Sequence, residues 1–518
     1  MEPRARCCSR ARGRVCRPGP AWHKRASGTR GQRVNGRTIE LGSIALRLVQ
    51  LLTVALVVFH LVHLFFASVF MDEAYYWMWG QHPALSYYDH PPLNAWLLGL
   101  SSMVFGWNLL ALRVPVVLSF LADIYALYLL SRAVAGDAWR THFWVTLLLF
   151  VGSPIYWMVS GYALPDHLLL TGCLYALYFF FRFFAARAGG GGGASRDLYL
   201  GALFLGLAAL SKYNAAFLAL GVAAFVLVYD RRLLKEGRLY LAALLTLLLQ
   251  APTILWNLSE NFASWEFILK GRHAGLHAEI DGIVPLVFGI GIFISPFLFW
   301  PIWKFATSQK NSVPGAGFAR ATFLISTAAI FTVALTTVTL FHWNLVAYVA
   351  MLPFLALVMR PRLLLGLQAI YGTIFAVFIF INYTITPLTN VDGWRDGATA
   401  WSYGWGPTVA ALDKAKAEHK VGFIATSDYT TAALVGFMSN DRDVTSLFPG
   451  RDQYDFWFDP KAHAGEDAIL FEDTWRPLYD VASEFRSLTV LAELPVVVNG
   501  RQVDLHRILL GTDFTPHE

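Results

Sequence analysis

Charge and cysteine are both scarce in this sequence. Only 15% of the 518 residues are charged, whereas 56% are hydrophobic and the mean hydropathy is +0.48. These proportions exclude an ordinary soluble globular protein and are typical of a polytopic membrane protein. Cys7, Cys8 and Cys16 lie near the N-terminus and Cys173 lies inside a predicted span, so no disulfide framework is implied.

Other signatures are also missing. No HExxH spacing occurs, so a dedicated metal site is not indicated, and no glycine-rich phosphate loop precedes a helix. No internal repeat is evident, which weakens the interpretation as a transporter built from inverted halves. The net charge of +6 averages over unlike parts of the chain and gives no reason to expect nucleic-acid binding. We therefore predict neither a cofactor nor a nucleic-acid partner.

Long apolar runs recur between residues 44 and 384, each able to cross about 30 Å of hydrocarbon. We predict a polytopic α-helical membrane protein with about eleven transmembrane helices. The predicted spans are residues 44–68, 108–131, 142–159, 168–186, 198–211, 214–229, 239–256, 284–303, 320–341, 343–359 and 363–384.

The distribution of Lys and Arg predicts the orientation of these spans. Most of these residues fall in alternate loops, which we assign to the cytoplasm together with the N-terminus. The opposite loops hold only Lys212, Lys270 and Arg272, with Arg113 at the edge of a span. Loops 71–107, 160–167 and 257–283 and the whole C-terminus are therefore predicted to lie on the outer side.

Two segments flank the predicted membrane domain, residues 41–384. Residues 1–40 are rich in arginine and read as a disordered basic arm, unless translation starts downstream; they do not resemble a cleavable signal peptide. Residues 385–518 hold 20 acidic and 11 basic residues and no run long enough to span a membrane. We interpret them as a small α/β domain on the outer face.

Local patterns outline that C-terminal domain. Strands are predicted at residues 421–425, 468–471 and 488–492, and a helix near 428–438. Residues 496–498 and 503–510 flank Asn499-Gly500, a pair that favours a two-residue hairpin turn.

The first loop, residues 71–107, begins with MDEAYYWMWGQHPALSYYDHPP, which contains no Lys or Arg. Aromatic rings favour the headgroup layer, and carboxylates at that depth are costly unless they have a function or a partner. Asp72 and Glu73 emerge where the first span ends. A carboxylate placed there is a candidate catalytic base for a membrane-bound substrate.

Further polar residues occur in loops predicted to face the same side. Acids converging with cations near one leaflet suit a phosphate-bearing lipid substrate, because cations stabilise a departing phosphate. The candidates beyond the acidic pair are Tyr88, His90, Asp166, Lys212, Tyr213, Lys270, Arg272 and His273.

Each candidate also has a structural alternative. Asp72 can act as a helix cap, and Asp166, after Pro165, can merely open a helix. His90 can pack within its loop. Lys212 can extend towards water, and Lys270 and Arg272 can contact lipid headgroups.

Several motifs become informative when their order along the chain is considered. They read DEAYYWMWGQHPALSYYDHPPL, LPDHLLL, LSKYNAAFL, PTILWN, NFASWEFILKGRH and FHWNLVAY between residues 50 and 384, with GRDQYDFW near the end. Together they resemble a bacterial family of membrane glycosyltransferases grouped with protein O-mannosyltransferases and the aminoarabinose transferase that modifies lipid A. The resemblance implies a GT-C architecture, a polyprenyl-phosphate-sugar donor and transfer on the outer side.

The resemblance also implies roles for individual residues. Asp72 matches the family's aspartate that acts as base, Glu73 completes the acidic pair, and Asp166 matches the second aspartate. His90 stands where the aminoarabinose branch has a lysine before proline, and a neutral histidine binds an anion less firmly. Arg272 fits the basic residue of the later outer loop.

These expectations combine into one functional hypothesis. A sugar moves from the lipid-linked donor to a hydroxyl of lipid A or lipopolysaccharide, a polysaccharide or a protein, in the inner membrane of a Gram-negative bacterium. The catalytic residues are Asp72, Glu73 and Asp166, and the remaining candidates bind substrate. The alternative is a transporter or flippase of a lipid-linked or anionic substrate, which would distribute polar residues along a path across the bilayer.

Overall fold

The computed structural model describes residues 41–271, 282–307, 315–359, 362–390, 396–479 and 481–516. All of them belong to one compact unit, Val34–Glu518. The N-terminal half contains the following helices: α1 Ser43–Phe66, α2 Met71–Gln81, α3 Leu93–Phe105, α4 Leu109–Ala135, α5 Trp139–Val151, α6 Pro154–Val159, α7 Pro165–Ala188, α8 Ser195–Ser211, α9 Ala216–Tyr229, α10 Gly237–Leu248, α11 Ala251–Ser259 and α12 Ala263–Glu266.

A π-helix, Phe267–Gly271, follows α12. The later helices are α13 Ile283–Ile294, α14 Phe299–Thr307, α15 Ala316–Ala334, α16 Leu345–Val358, α17 Arg362–Thr384, α18 Gly397–Ala400, α19 Trp405–Glu418 and α20 Tyr429–Ser439. The strands are β1 Phe423–Thr426, β2 Thr445–Ser446, β3 Ala468–Glu472, β4 Phe485–Val498 and β5 Arg501–Phe514.

The protein has the helices of a polytopic membrane protein. Among the described residues, six helices are long and apolar enough to cross a membrane, or eight if two bent helix pairs each count as one span. The bends are 49° between α10 and α11 and 85° after α13. The predicted count of eleven is therefore not confirmed.

Part of the difference between the eleven predicted spans and the six candidate helices arises because two helices are counted as one span. The run Leu109–Val151 counts as one candidate span, yet Phe120 packs on Phe150 and Ser131 bonds to His142 across a turn at Gly136. The chain therefore folds back there, and α4 and α5 are separate antiparallel helices.

The C-terminal region, residues 396–516, contains a five-stranded sheet in the order β2-β1-β3-β5-β4. β1 is parallel to β2 and β3, and β5 is antiparallel to β3 and β4. The predicted helix and hairpin are confirmed by α20 and by β4–β5. Asn499 (φ 51°) and Gly500 (φ 79°) both have positive φ, as a two-residue type I′ turn requires.

The sheet packs on the first loop rather than standing apart from it. One buried apolar cluster contains Tyr75 and Trp77 from α2 together with Trp401, Ile424 and Phe471. Polar contacts reinforce this packing, since the Trp107 Nε1–H donates to the Phe437 carbonyl at 2.8 Å. The boundary predicted at residue 384 coincides with the end of α17 but does not separate two compact units, so the division into domains stays a prediction.

Candidate active site

A cavity of about 460 Å³ lies at the end of the helical bundle where the C-terminal region packs. We call it the main cavity. Its wall includes residues from the start of α2, the segment before α3, the start of α7 and the residue that follows α8. Four candidates predicted from the sequence line it: Asp72, His90, Asp166 and Lys212.

Asp72 reaches the cavity from the first turn of α2. The unpaired N–H groups at a helix start favour a negative charge there. Only four residues separate the end of α1 from the start of α2, so the carboxylate lies beside the end of a long apolar helix. This position suits a base acting on a substrate held at the membrane surface.

Glu73 points away from the main cavity. It is fully buried, and its Oε1 accepts from the Arg113 guanidinium at 2.6 Å and from the Ala163 N–H at 2.5 Å. Its Oε2 accepts from the Phe70 N–H at 3.0 Å. Burial raises the pKa of Glu73, and Arg113 and the two N–H donors offset part of that rise.

The Arg113 side chain extends this contact into a clamp. Its guanidinium also donates to the Gly161 carbonyl at 2.8 Å and to the Ser68 carbonyl at 3.3 Å. Glu73 and Arg113 together therefore tie the start of α2 to residues 161–163, just before α7. The clamp fixes the two short connecting segments that lead to Asp72 and Asp166.

Asp166 and Lys212 form an ion pair at 2.6 Å, and both side chains are about 5% exposed. Pro165 is the first residue of α7, where its missing N–H costs no hydrogen bond. The Ser211 hydroxyl donates to the Pro165 carbonyl at 2.7 Å, so the end of α8 is fixed to the start of α7. The paired carboxylate and ammonium are held within the wall of the cavity.

Several lining residues were not among the predicted site residues. Asp89, His342 and Trp343 line the cavity, and Tyr429 reaches it from the first turn of α20. The sequence did signal three of them: Asp89 precedes His90 in the first loop, and FHWN, which contains His342 and Trp343, marks the polar start of an apolar run.

Two predicted binding residues lie outside the lining of the main cavity. The Tyr88 ring packs on Phe267, with centroids 4.6 Å apart, and its N–H donates to the Gln453 side chain at 2.7 Å. The Tyr213 hydroxyl bonds to the Ser264 hydroxyl at 2.9 Å. Tyr88 therefore connects the first loop to the π-helix and to the C-terminal region. Tyr213 connects the end of α8 to α12.

Three predicted binding residues fall where the later outer loop is not described. The side chain of Lys270 and residues Arg272 and His273 lie outside the described residues. The same holds for His277, which forms an HxxxH spacing with His273. Within the described ranges, no group of three or more His, Cys, Asp or Glu could hold a metal ion. The lack of a dedicated metal site stays a prediction.

Comparison with known proteins confirms the resemblance of this chain to GT-C glycosyltransferases. Residues 89–256 match the family model described as dolichyl-phosphate-mannose-protein mannosyltransferase. Lipid A galacturonosyltransferase RgtD from Rhizobium johnstonii is 24% identical over 236 residues, which are 42% of this chain and 47% of that protein. The match therefore spans about half the length of this curated relative.

Two solved structures share the fold. ArnT from Cupriavidus metallidurans bound to undecaprenyl phosphate superposes with a TM-score of 0.61 at 15% identity, covering 90% of this chain and 98% of that one. ArnT from the same organism in the apo state gives a TM-score of 0.62 at 15% identity, covering 92% of this chain and 100% of that one.

Proposed function

We propose that this protein transfers a sugar from a polyprenyl-phosphate donor to a hydroxyl of an envelope acceptor of the lipid A type. The observation that carries the proposal is the main cavity, which places Asp72 and the Asp166–Lys212 pair together at one end of the bundle. The named activity of RgtD and the lipid phosphate bound to ArnT support the choice of substrates. We infer an inner-membrane location with the cavity on the periplasmic side.

The reaction proceeds as a displacement at the anomeric carbon. The acceptor oxygen attacks this carbon while Asp72 takes the hydroxyl proton, and the bond to the phosphate oxygen breaks with inversion. Asp166, held by Lys212, orients the acceptor or shares the role of base. Polyprenyl phosphate leaves with its charge stabilised by Lys212, His90 and Arg272.

A transporter or flippase is not favoured. Its polar residues would follow a path through the bundle, whereas the main cavity lies at the end where the C-terminal region packs, and residues of that region, such as Tyr429, complete its wall.

The test is mass spectrometry of envelope glycolipids from cells with the wild-type protein, no protein or Asp72→Asn. We expect one sugar to vanish from one acceptor in both mutants. In reconstituted protein, Asp72→Asn should lower sugar transfer and polyprenyl-phosphate release by about 10²–10⁴-fold, since a positioned base contributes that much.

Asp197→Asn is the matched control. Asp197 also lies in the first turn of a helix, α8, but pairs with Arg182 at 3.2 Å. It lies 15 positions before the Lys212 end of that helix, roughly 22 Å away at 1.5 Å per residue. We expect near wild-type transfer. Unchanged glycolipids in all strains would reject the proposed function. Full transfer by Asp72→Asn would reject the role of Asp72 as base.

A further inference from the structure

A larger cavity, of about 1000 Å³, lies at the end of the bundle opposite the main cavity. We call it the far cavity. The residues that matter for its chemistry are Arg187, Phe225, Val228, Asp230, Arg231 and Arg232. The transfer reaction described above uses none of them.

Helix α7 connects the two cavities. Asp166 at its start lines the main cavity, and Arg187 near its end lines the far cavity. These residues are 21 positions apart, which is roughly 32 Å along a helix at 1.5 Å per residue. Since about 30 Å is also the thickness of the hydrocarbon layer, the far cavity lies near the other membrane surface.

The wall of the far cavity is partly apolar and faces the lipid. The Phe184 ring of α7 packs on the Phe225 ring of α9, with centroids 4.8 Å apart. Val228 and Tyr229 continue this wall, and each is 64% exposed at the end of an apolar helix. Such side chains face the bilayer, and a tyrosine there favours the headgroup layer. A molecule in the cavity can therefore extend into the membrane.

One arginine of the far cavity is already paired. The Arg187 guanidinium donates through two nitrogens to the Asp230 carboxylate, with one of these bonds at 2.9 Å. It also pairs with Glu236 at 2.8 Å and donates to the Gly192 carbonyl at 3.0 Å. This network ties the end of α7 to the end of α9 and leaves Arg187 little capacity to bind a ligand.

The next two residues differ from Arg187. Arg231 and Arg232 line the far cavity, are exposed, and form no ion pair with an acid in the described part of the chain. They belong to the 3₁₀-helix Arg231–Lys235, which the fully buried Leu233 anchors. The Arg231 Nε–H donates to the Leu227 carbonyl at 2.6 Å, so its two terminal nitrogens are left for a ligand.

The residues that line the far cavity therefore carry an excess of positive charge beside an apolar wall. The start of α15 also reaches the cavity through Gly315 and Gly317, and a helix start favours a negative charge. Guanidinium groups bind phosphate through parallel N–H bonds. A soluble anion would satisfy the arginines but leave the apolar wall uncovered, whereas an anionic lipid satisfies both. Basic pockets between membrane helices bind lipid headgroups in this way.

We propose that the far cavity binds an anionic phospholipid, with its phosphate on Arg231 and Arg232 and an acyl chain along Phe225 and Val228. The lipid bridges α7, α9 and the start of α15, so it stabilises the folded protein by mass action. This site goes beyond the proposed function and holds whether or not the protein transfers a sugar.

The test compares the wild type with Arg231→Gln/Arg232→Gln, both full-length and purified in a non-ionic detergent. Native mass spectrometry measures the binding of phosphatidylglycerol, and thermal unfolding measures the stabilisation that it gives. Two probes separate charge from chain: phosphatidylcholine has acyl chains but no net charge, and glycerophosphoglycerol is the anionic headgroup without chains.

We expect phosphatidylglycerol to bind the wild type and to raise its melting temperature. The two probes should bind at least about tenfold more weakly, because each lacks one of the two features that the cavity recognises. The double variant should bind phosphatidylglycerol about 10- to 30-fold more weakly than the wild type, as the loss of two cations near a lipid surface predicts.

Arg140→Gln/Arg196→Gln is the matched control, because it removes the same charge from the same end of the bundle. Both residues are exposed and lie in the first turn of their helices, α5 and α8, and neither lines the far cavity. This variant should bind phosphatidylglycerol as the wild type does. Without added lipid, all three proteins should melt at the same temperature, since exposed arginines contribute little to stability.

Three outcomes overturn the proposal. Equal binding of phosphatidylcholine would show that charge is not recognised. Equal binding of glycerophosphoglycerol would show a site for a soluble anion. Equal losses in the two double variants would show a diffuse attraction in place of a site.

Failure of this proposal can be told apart from failure of the proposed function, because none of these measurements involves sugar transfer. Wild-type transfer combined with unchanged lipid binding by Arg231→Gln/Arg232→Gln rejects only the lipid site. Lipid binding that this variant selectively loses supports the site even if the wild type transfers no sugar.

Discussion

Two consecutive acids at the start of α2 have opposite surroundings. Asp72 lines the main cavity, whereas Glu73 is fully buried in the clamp with Arg113 and the Ala163 N–H. An acid that must exchange protons with a substrate needs access to it, and Glu73 has none within the described cavity. We therefore propose that Asp72 is the base and that Glu73 has a positioning role, while the catalytic role predicted for Glu73 from the sequence stays a prediction.

Glu73→Gln separates the two roles. The substitution leaves the Arg113 guanidinium buried without a counter-charge, which typically costs about 3–5 kcal/mol. We expect a lower melting temperature and a parallel loss of transfer activity, measured by thermal unfolding in detergent and by sugar transfer. Asp72→Asn should lose activity alone.

The double variant Glu73→Gln/Arg113→Met provides the control. Removing both charges should recover much of the stability lost in the single variant, although the Arg113 bonds to Gly161 and Ser68 are also lost. A Glu73→Gln protein that melts normally yet transfers no sugar would return Glu73 to the catalytic group.

The Asp166–Lys212 pair gives a second prediction. Lys212→Met leaves a buried carboxylate unpaired, so both the melting temperature and the transfer rate should fall. The double variant Asp166→Asn/Lys212→Met should regain stability without regaining transfer, because the two charged groups facing the substrate are gone. Substantial transfer by the stable double variant would show that the pair only supports the fold.

At the scale of residues, the sequence identified candidates by their position at the ends of apolar runs. This is why Asp72, Asp166 and Lys212 could be chosen. The direction of a side chain depends on backbone geometry and on partners distant in the chain, which no local pattern records. The burial of Glu73 by Arg113, 40 positions away, is an example.

At the scale of elements, two helices of the first loop touch through glycines. A Cβ added to Gly99 in α3 would lie 2.5 Å from the Gly80 carbonyl oxygen in α2. No side chain fits between them, so this contact sets the distance between the two helices. Since α2 carries Asp72, the packing of α3 also positions the proposed base.

Gly99→Ala should force these helices apart. Overpacking of this kind typically costs about 1–3 kcal/mol, and we expect both the melting temperature and transfer to fall. The control is Gly366→Ala in α17, where an added Cβ meets nothing within 4 Å and a helical alanine is favoured. Equal behaviour of the two variants would contradict the close-contact argument.

Elements were predictable where the signal is local. The hairpin β4–β5 follows from Asn499-Gly500, whose residues tolerate positive φ. Hydropathy windows failed where a helix breaks inside an apolar run. The predicted span 284–303 bends after α13, because Ser295 has a φ of 94° and Pro296 lacks the N–H that would continue the helix.

At the scale of the whole molecule, the C-terminal region is part of the structure around the main cavity. Tyr429 completes its wall, and the Gln453 N–H donates to the Tyr75 hydroxyl at 3.1 Å. The Gln453 side chain also accepts from the Tyr88 N–H. Composition indicated a separate region after residue 384 but contained no information on its contacts with the first loop.

The segment around Gln453 packs on the first loop and also contains Asp452. We expect Asp452 to make the stability of the folded protein depend on pH. Burial raises the pKa of Asp452 to about 8, with Asp455 and Asp89 adding to the rise and bonds to Tyr454 and Ser446 opposing it. The folded protein therefore keeps a proton on Asp452 between pH 3.8 and about 8 that the unfolded chain releases. Its stabilising contribution falls as pH rises through this window, by at most about 1.4 kcal/mol per pH unit.

Asp452→Asn isolates this effect, because the amide cannot ionise and its oxygen can still accept from the Tyr454 N–H, which lies 2.6 Å from the carboxylate. We expect the wild type to lose stability relative to the variant between pH 5 and about pH 8, and the difference to level off below pH 4. Thermal unfolding across this range measures it, with Asp443→Asn as the control for losing an exposed negative charge. A constant difference between wild type and Asp452→Asn would mean that Asp452 is ionised in the folded protein across this range, and would contradict the prediction.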